Sequence, residues 1–223
     1  MEPSVSFYRA LEEDSHALRF KIFRLGGDIP LSDVLPMLEN LGFRVLGGRP
    51  YHIREKNGDR VSVYDFSVRY GDNNTVIELD KVKKQFQEAF YQIWHGAAEN
   101  DSFNRLVLAV GLGWRSVAML RAYARFFKQS GFSFSQRYIK DALVNQPNIA
   151  RLLVELFNAR FKIDSENSDI YEANLTGDIL DALDNVESLD EDRILRRYLD
   201  MLAATLRTNF FQLDENGESK DYI

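Results

Sequence analysis

The apolar residues of this chain follow two different periods in two successive parts of the sequence. In several short segments between Leu18 and Tyr70 apolar and polar side chains alternate, and a period of two predicts strands with one buried face. Beyond Asp101 apolar residues recur every three or four positions, which predicts amphipathic helices. A chain in which strands are followed by helices alone favours an α+β fold with the two kinds of element segregated.

The first part predicts a strand, a helix, a strand, a hairpin turn and a strand, in that order. The first strand starts at Leu18 and ends before Gly26, Gly27 and Asp28. A short helix starts close to Ser32, because Pro36 is tolerated only near a first turn. The remaining features are a left-handed C-cap at Gly42, a strand at 43–46 that breaks at Gly47-Gly48 and resumes at 51–53, an Asn57-Gly58 turn and a strand at 61–70.

A second helix, predicted at residues 79–94, covers one face of this sheet. Its apolar stripe consists of Val82, Phe86, Ala89, Phe90 and Ile93. The order of elements is typical of a ferredoxin-like split βαβ module. No fourth strand is evident after this helix, so the sheet has three strands or is completed from elsewhere.

Later apolar stripes predict helices that pack as an all-α bundle or layer. Ser188 and Glu191 have the spacing of a capping box, in which each side chain accepts from the other's backbone amide. Residues 163–174 are polar and acidic and predict an exposed loop. The stripes are Val117, Leu120, Ala124 and Phe127; Tyr138, Ile139, Ala142 and Leu143; Ile149, Leu152, Leu153, Leu156, Phe157 and Phe161; Ile179, Leu183 and Val186; and Ile194, Leu195, Tyr198, Leu199, Leu202 and Leu206.

The last residues predict the start of a β structure. Residues 210–213 have an extended pattern, Asn216-Gly217 predicts a turn, and residues 221–223 predict a returning strand. We therefore expect the chain to be truncated before a downstream sheet. We assign residues 1–75 to an α/β module whose second helix lies at 77–96, and residues 97–223 to a helical domain.

The charge of the chain is unevenly distributed. A formal net charge of −6 disfavours nucleic-acid binding, which requires a basic face. The middle of the chain is basic, whereas residues 164–192 are acidic. These regions are either solvated helix faces of opposite charge or patches that dock against other parts of one assembly. The basic residues are Arg105, Arg115, Arg121, Arg125, Lys128, Arg137 and Lys140.

Composition also excludes several kinds of site. The chain has no cysteine, which excludes disulfides and thiolate zinc sites. Met1-Glu2 is not followed by the basic and apolar regions of a signal peptide, so we predict none. No apolar stretch approaches the roughly 20 residues that span a bilayer. We predict a cytoplasmic protein that has no membrane partner.

The sequence predicts no catalytic, cofactor-binding or metal residue. Gly111-Leu112-Gly113 imitates the start of a dinucleotide fingerprint, but Ser116 replaces the third glycine and the flanking segments have helical patterns. A helix–turn–helix junction is the better account. His16, His52 and His95 lack the spacing of metal ligands, and no Gly-x-Ser-x-Gly elbow is present.

Several strings resemble the third ACT-like segment and the following helical region of the large bacterial NAD-specific glutamate dehydrogenases. They cover most of the chain in order: LRFKIFR at 18–24, PLSDVLPMLENLG at 30–42, AENDSFNRLVL at 98–108, LRAYAR at 120–125, FSQ at 134–136 with YI at 138–139, IARLLVELF at 149–157 and LDEDRILRR at 189–197. The resemblance implies an ACT-like module followed by helices.

The resemblance also implies a parent enzyme that oxidatively deaminates L-glutamate to 2-oxoglutarate and ammonia with NAD. The glutamate and NAD sites would lie downstream, so this segment would hold no cofactor and would be regulatory or scaffolding. Its partners would be the rest of its own polypeptide, homo-oligomer partners and an amino-acid effector. ACT-type modules bind amino acids near the first strand–helix loop, and Gly26, Gly27 and Asp28 form that loop here.

An alternative function is that of a macromolecule-binding module, for RNA or protein, without catalytic activity. A split βαβ sheet can stack bases on aromatic side chains of one face, and Tyr64, Phe66 and Tyr70 would form such a face.

Overall fold

The computed structural model describes residues 3–10, 17–54, 58–71, 77–162, 168–217 and 219–220. Four features of the sequence prediction lie wholly or partly outside the described residues: His16, Asn57 of the predicted turn, residues 163–167 of the predicted loop, and the predicted strand at 221–223. The chain divides into two compact units, residues 1–114 and 115–223.

The first unit contains a four-stranded antiparallel sheet in the order β1-β2-β4-β3. Its strands are β1 (Ser4–Tyr8), β2 (Leu18–Leu25), β3 (Phe43–Arg54) and β4 (Arg60–Tyr70). β2 and β3 both pair with β4 and are joined by helix α1 (Leu31–Asn40), which gives the predicted split βαβ arrangement. β1 pairs with the free edge of β2, so the fourth strand comes from the start of the chain.

β3 runs without interruption, so the predicted break at Gly47-Gly48 is wrong. A β-bulge between Val45 and Gly47 shifts the register, and Leu46 is the extra residue. Pairing resumes at Gly47 opposite Ser67. A bulge bends a strand and leaves one residue unpaired but does not end the ladder.

Two helices cover one face of the sheet. α2 (Leu79–Trp94) buries the whole predicted stripe of five apolar residues. Phe86 lies at the centre, with its ring centroid 4.6 Å from that of Phe7, 5.3 Å from Phe20 and 5.4 Å from Phe43. Each such aromatic pair contributes about 0.5–1.5 kcal/mol beyond the burial of its area. The unit ends with a 3-10 turn (Ser102–Asn104) and helix α3 (Arg105–Val110).

The second unit is helical. Tyr198 of its last helix is fully buried, and its ring centroid lies 4.6 Å from that of Phe127. The Tyr198 hydroxyl donates to the backbone carbonyl of Leu120 at 3.1 Å. The helices are α4 (Trp114–Gln129, beginning at the unit boundary), α5 (Gln136–Asn145), α6 (Pro147–Phe161), α7 (Ser168–Leu183) and α8 (Leu189–Ala204).

Two boundaries in this unit differ from the prediction. α7 begins at Ser168, so residues 168–174 are helical and the loop predicted for them is wrong. The side chains of residues 169–174 are exposed or half-buried, Ile170 and Tyr171 included, so no buried apolar stripe marks this stretch. α8 ends at Ala204, and Leu206 is 88% exposed beyond it.

The predicted capping box forms by half. The Ser188 side chain accepts from the Glu191 amide at 3.4 Å. The Glu191 carboxylate accepts from the side-chain amides of Asn145 at 2.7 Å and Gln146 at 3.0 Å. Glu191 therefore joins α8 to the end of α5 instead of closing its own helix.

The last described residues form a turn and a short hairpin. Phe210 and Phe211 lie in a turn and pack on Phe157, so the extended conformation predicted for them is wrong. The Asn216-Gly217 turn is present, with Gly217 at φ +80°, and it brings Leu213 opposite Ser219.

Candidate functional site

The Gly26-Gly27-Asp28 loop joins the end of β2 to the start of α1. Gly26 has φ +72°, a conformation that favours glycine. Its backbone N–H donates to the carbonyl of Arg60 at 2.8 Å. This amide extends the pairing of β2 with β4 and does not point at a ligand site.

Two arginines lie against the loop. The Arg24 guanidinium donates to the Asp28 carbonyl at 2.6 Å and lies so close to Gly27 that an added Cβ would meet its Nε at 3.2 Å. The Arg60 guanidinium donates to the Asp28 carboxylate at 3.0 Å. The loop therefore presents two guanidinium groups and one carboxylate within a few residues of a helix N-terminus, where an anion is favoured.

His52 and Ser62 extend this cluster along the sheet. The Nδ1 atom of His52 lies 3.2 Å from Arg60 Nη2 and 3.4 Å from the Ser62 hydroxyl. A guanidinium only donates, so Nδ1 is the acceptor in the contact with Arg60. Trp94 of α2 lies at the other side, with the Arg24 guanidinium 5.9 Å from its ring centroid.

This arrangement has the chemistry to hold an α-amino acid. A guanidinium binds a carboxylate through two parallel hydrogen bonds, and a carboxylate such as that of Asp28 pairs with an ammonium group. Both side chains of the Asp28–Arg60 ion pair are exposed, so water competes for their hydrogen bond. A ligand can therefore replace either partner in that bond.

The sequence named the three loop residues and missed Arg24, Arg60 and His52. The structure brings Gly26, Gly27 and Asp28 together as one loop. The other three come from two additional strands and the end of β2. The signal was present in the hairpin: a turn near Gly58 returns Arg60 to the level of the glycine loop, since Leu25 pairs with Val61.

The structure also bears on the dinucleotide fingerprint, the metal ligands and the membrane span that were considered from the sequence. Gly111 has φ +70° and ends α3, so the glycine pair lies between two helices and not after a strand. Among the described residues, no group of three or more histidine and carboxylate side chains could hold a metal ion. In the same ranges, no helix combines the length and apolar character needed to cross a membrane.

The aromatic residues considered for base stacking face the helices. Phe66 is 1% exposed and stacks on Phe20, which contacts Phe86 and Phe90 of α2. Tyr64 stacks on Phe66 from the same side, with ring centroids 4.5 Å apart. Phe66 is therefore part of the core and offers no open face to a nucleotide.

The basic middle of the chain is only partly a solvated face. Arg121 is 5% exposed. Arg115 donates to the carbonyls of Phe210 and Lys220, each at 2.8 Å, and its guanidinium lies 5.0 Å from the Phe210 ring centroid. Arg115 thus anchors the terminal hairpin of the second unit to α4.

Comparison with known families divides the chain into three matched regions. Residues 2–82 match the ACT3 domain of glutamate dehydrogenase. Residues 98–163 match glutamate dehydrogenase helical motif 3. Residues 178–223 match the catalytic domain of bacterial NAD-glutamate dehydrogenase.

Similar curated proteins carry the same name. The chain is 47% identical to the NAD-specific glutamate dehydrogenase of Pseudomonas aeruginosa over 98% of its own length, and 45% identical to that of Halomonas elongata over 99%. It is 39% identical over 90% of its length to the corresponding protein of Mycobacterium tuberculosis. The chain spans only 13% to 14% of the length of these relatives.

Proposed function

The chain belongs to the large bacterial NAD-specific glutamate dehydrogenases, and from this we propose that it is a non-catalytic regulatory and scaffolding segment of such an enzyme. The parent reaction is the conversion of L-glutamate and NAD to 2-oxoglutarate and ammonia. NAD and glutamate bind elsewhere in the longer polypeptide, which acts in the cytoplasm and as a homo-oligomer.

The scaffolding role is supported by the second unit, where helices of two matched regions share one core. α4, α5 and α6 lie in the region similar to helical motif 3, whereas α8 lies in the region similar to the catalytic domain. Tyr198 of α8 is enclosed by that motif and donates to its Leu120 carbonyl. A catalytic-domain helix that is packed in this way depends on the motif for its position.

The regulatory role rests on the loop at the start of α1. Gly26, Gly27 and Asp28 form an effector site together with Arg24 and Arg60. Because the Gly26 amide is already bonded to Arg60, the guanidinium groups and not the glycine amide bind the effector's carboxylate. Asp28 pairs with the effector's ammonium group, and Gly27 leaves room for the Arg24 side chain.

The first experiment assays the complete polypeptide and the 223-residue chain side by side. The chain alone is expected to show no glutamate oxidation with NAD, and turnover by it would refute the non-catalytic role. Thermal unfolding of the complete polypeptide against the twenty amino acids then tests the effector role. If none of them raises the unfolding temperature, the effector role is wrong while the scaffolding role is unaffected.

Variants test the residues of the effector site. Arg60→Gln removes the guanidinium but keeps a hydrogen-bonding side chain, and it should weaken binding of the stabilising amino acid at least about tenfold. Arg54→Gln is the matched control, because Arg54 is an exposed arginine of the neighbouring strand and has no ion pair with Asp28. Equal affinities in the two variants would move the effector away from this loop.

A further inference from the structure

The sheet face that lies opposite α1 and α2, here called the outer face, is rich in positive charge. The strand register places Arg19 opposite Ser67, Asp65 between Lys21 and Arg49, and Arg44 opposite Arg69. Among the described strand residues of this face, five are cationic and only Asp65 is acidic. In a chain with a net charge of −6, this is a marked local excess of positive charge.

The single carboxylate neutralises only part of this charge. Asp65 accepts from Arg19 at 2.7 and 3.2 Å, and its other neighbour is the Lys21 ammonium at 3.6 Å. Its side chain is 7% exposed between these two cations. Arg19 and Lys21 are therefore held in place by Asp65, and the remaining charge resides on the three other arginines.

Those three arginines lack an acidic partner within the described parts of the chain. Arg44 and Arg49 are exposed, and the Nε atom of Arg69 is buried without a hydrogen-bond partner. Arg44 and Arg69 are direct cross-strand neighbours, and like charges in that position destabilise a sheet. A bound anion would reduce this repulsion.

The bulge in β3 opens a groove beside these groups. The groove has a volume of about 620 Å³ and is lined by Arg19, Gly47, Gly48, Arg49, Asp65 and Ser67, with Leu46 at its edge. A Cβ added at Gly47 would meet no atom within 4 Å, so this glycine leaves space open. A Cβ at Gly48 would lie 2.5 Å from the Tyr64 ring, so that glycine is explained by packing on the other face.

We propose that this groove binds a small multivalent oxyanion, either a phosphate ester or a polycarboxylate. Arg49 and Arg19 contact it from the two walls, and Arg44 and Arg69 hold its second charged group beyond the bulge. Guanidinium groups match the planar oxygen pairs of both classes, and the volume lies within the range of small-ligand sites. A monovalent anion gains less, because Asp65 offsets part of the positive field.

This site is separate from the effector loop. Arg60, His52 and Ser62 lie on the helix side of the sheet by their register, whereas the groove lies on the outer face. Failure of amino-acid binding at the loop therefore leaves this proposal unaffected, and the two can be tested in one protein.

The test is calorimetric titration of the complete polypeptide with tripolyphosphate, citrate and acetate. Tripolyphosphate or citrate should bind measurably and acetate much more weakly, and added salt should lower the affinity because exposed charges are screened. Tighter binding of tripolyphosphate than of citrate would indicate that the groove takes phosphate esters, and the reverse order would indicate polycarboxylates.

Two variants place the binding in the groove. Arg49→Gln removes an exposed charge, and Gly47→Val fills the open space with a residue that strands accept. Each should weaken binding at least about tenfold, while Arg54→Gln, on the same strand but the other face, should bind as the parent does. Arg44→Gln serves as a second charge variant, and circular dichroism confirms that each variant is folded.

Three results would overturn the proposal. The first is no binding of either multivalent anion. The second is an unchanged affinity in folded Gly47→Val and Arg49→Gln proteins. The third is binding of a polyglutamate peptide without binding of the small anions, which would identify the outer face as a docking surface for an acidic protein segment.

Discussion

Replacing Tyr198 by phenylalanine tests the enclosure of α8 in the second unit, and the expected effect depends on pH. Tyr198 is fully buried and donates to the Leu120 carbonyl at 3.1 Å. Removing the hydroxyl deletes this bond and leaves the ring in place against Phe127. We expect the free energy of unfolding to fall by about 1 kcal/mol at about pH 7, the usual net contribution of one buried hydrogen bond.

The difference in the free energy of unfolding between the parent and the Tyr198→Phe protein should vanish at alkaline pH. Burial raises the pKa of Tyr198 well above its ordinary value of 10.0. Below pH 10.0 the Tyr198 phenol is protonated in the folded and the unfolded chain, and its hydrogen bond contributes fully to the free energy of unfolding. Above it, only the unfolded state ionises, and each further pH unit lowers the stability of the parent by about 1.4 kcal/mol until the folded pKa is reached. Phenylalanine avoids this loss, so the two proteins should be equally stable near about pH 11.

The measurement is urea unfolding of parent and Tyr198→Phe proteins, followed by far-ultraviolet circular dichroism at several pH values. Burial also raises the pKa values of Tyr70 and Tyr123, but both residues are present in the two proteins and cancel in the difference. A stability difference that stays constant from about pH 7 to about pH 11 would refute the reasoning, because it would mean that Tyr198 ionises equally well in the folded chain.

Two further predictions concern packing in each unit. Gly48→Ala should lower the free energy of unfolding by about 1–3 kcal/mol, because its Cβ would lie 2.5 Å from the Tyr64 ring, whereas Gly47→Ala should lower it by under about 1 kcal/mol. Equal losses in thermal unfolding would contradict the conclusion that only Gly48 is required by packing. Arg115→Gln should speed amide hydrogen exchange in the segment from Phe210 to Lys220 at least about tenfold, since two hydrogen bonds to backbone carbonyls at 2.8 Å are lost. Unchanged exchange there with a folded α4 would show that the hairpin is held by Phe210 packing alone.

Elements with a dense apolar period could be predicted from the sequence. α2 buries the five residues of its predicted stripe, and Gly42 has the left-handed conformation expected after α1. Both signals are local, because a helix places residues three and four positions apart on one side. The first turns of α7 carry no such stripe, so the sequence could not distinguish them from a loop.

The candidate sites were predictable only to the extent that they are contiguous in the chain. Gly26, Gly27 and Asp28 could be named because they follow one another between a strand and a helix. Arg60 reaches the loop through pairing of β4 with β2, and nothing local to either segment indicates that contact. The cationic groove depends even more on register, because Arg49 and Asp65 are neighbours only after the bulge has shifted the pairing of β3.

The sequence by itself determined the α+β class, the order of most elements and the family, because these follow from periodicity and from strings of adjacent residues. The tertiary structure alone decided that β1 completes the sheet and that Glu191 bonds to α5 instead of its own helix. It also decided that, among the described strand residues, five cations share one face with one carboxylate. The physical reason is the range of the interactions. Helix stripes and caps act within about four residues, whereas strand partners and side-chain bonds across the fold depend on contacts that become available only once the chain has closed.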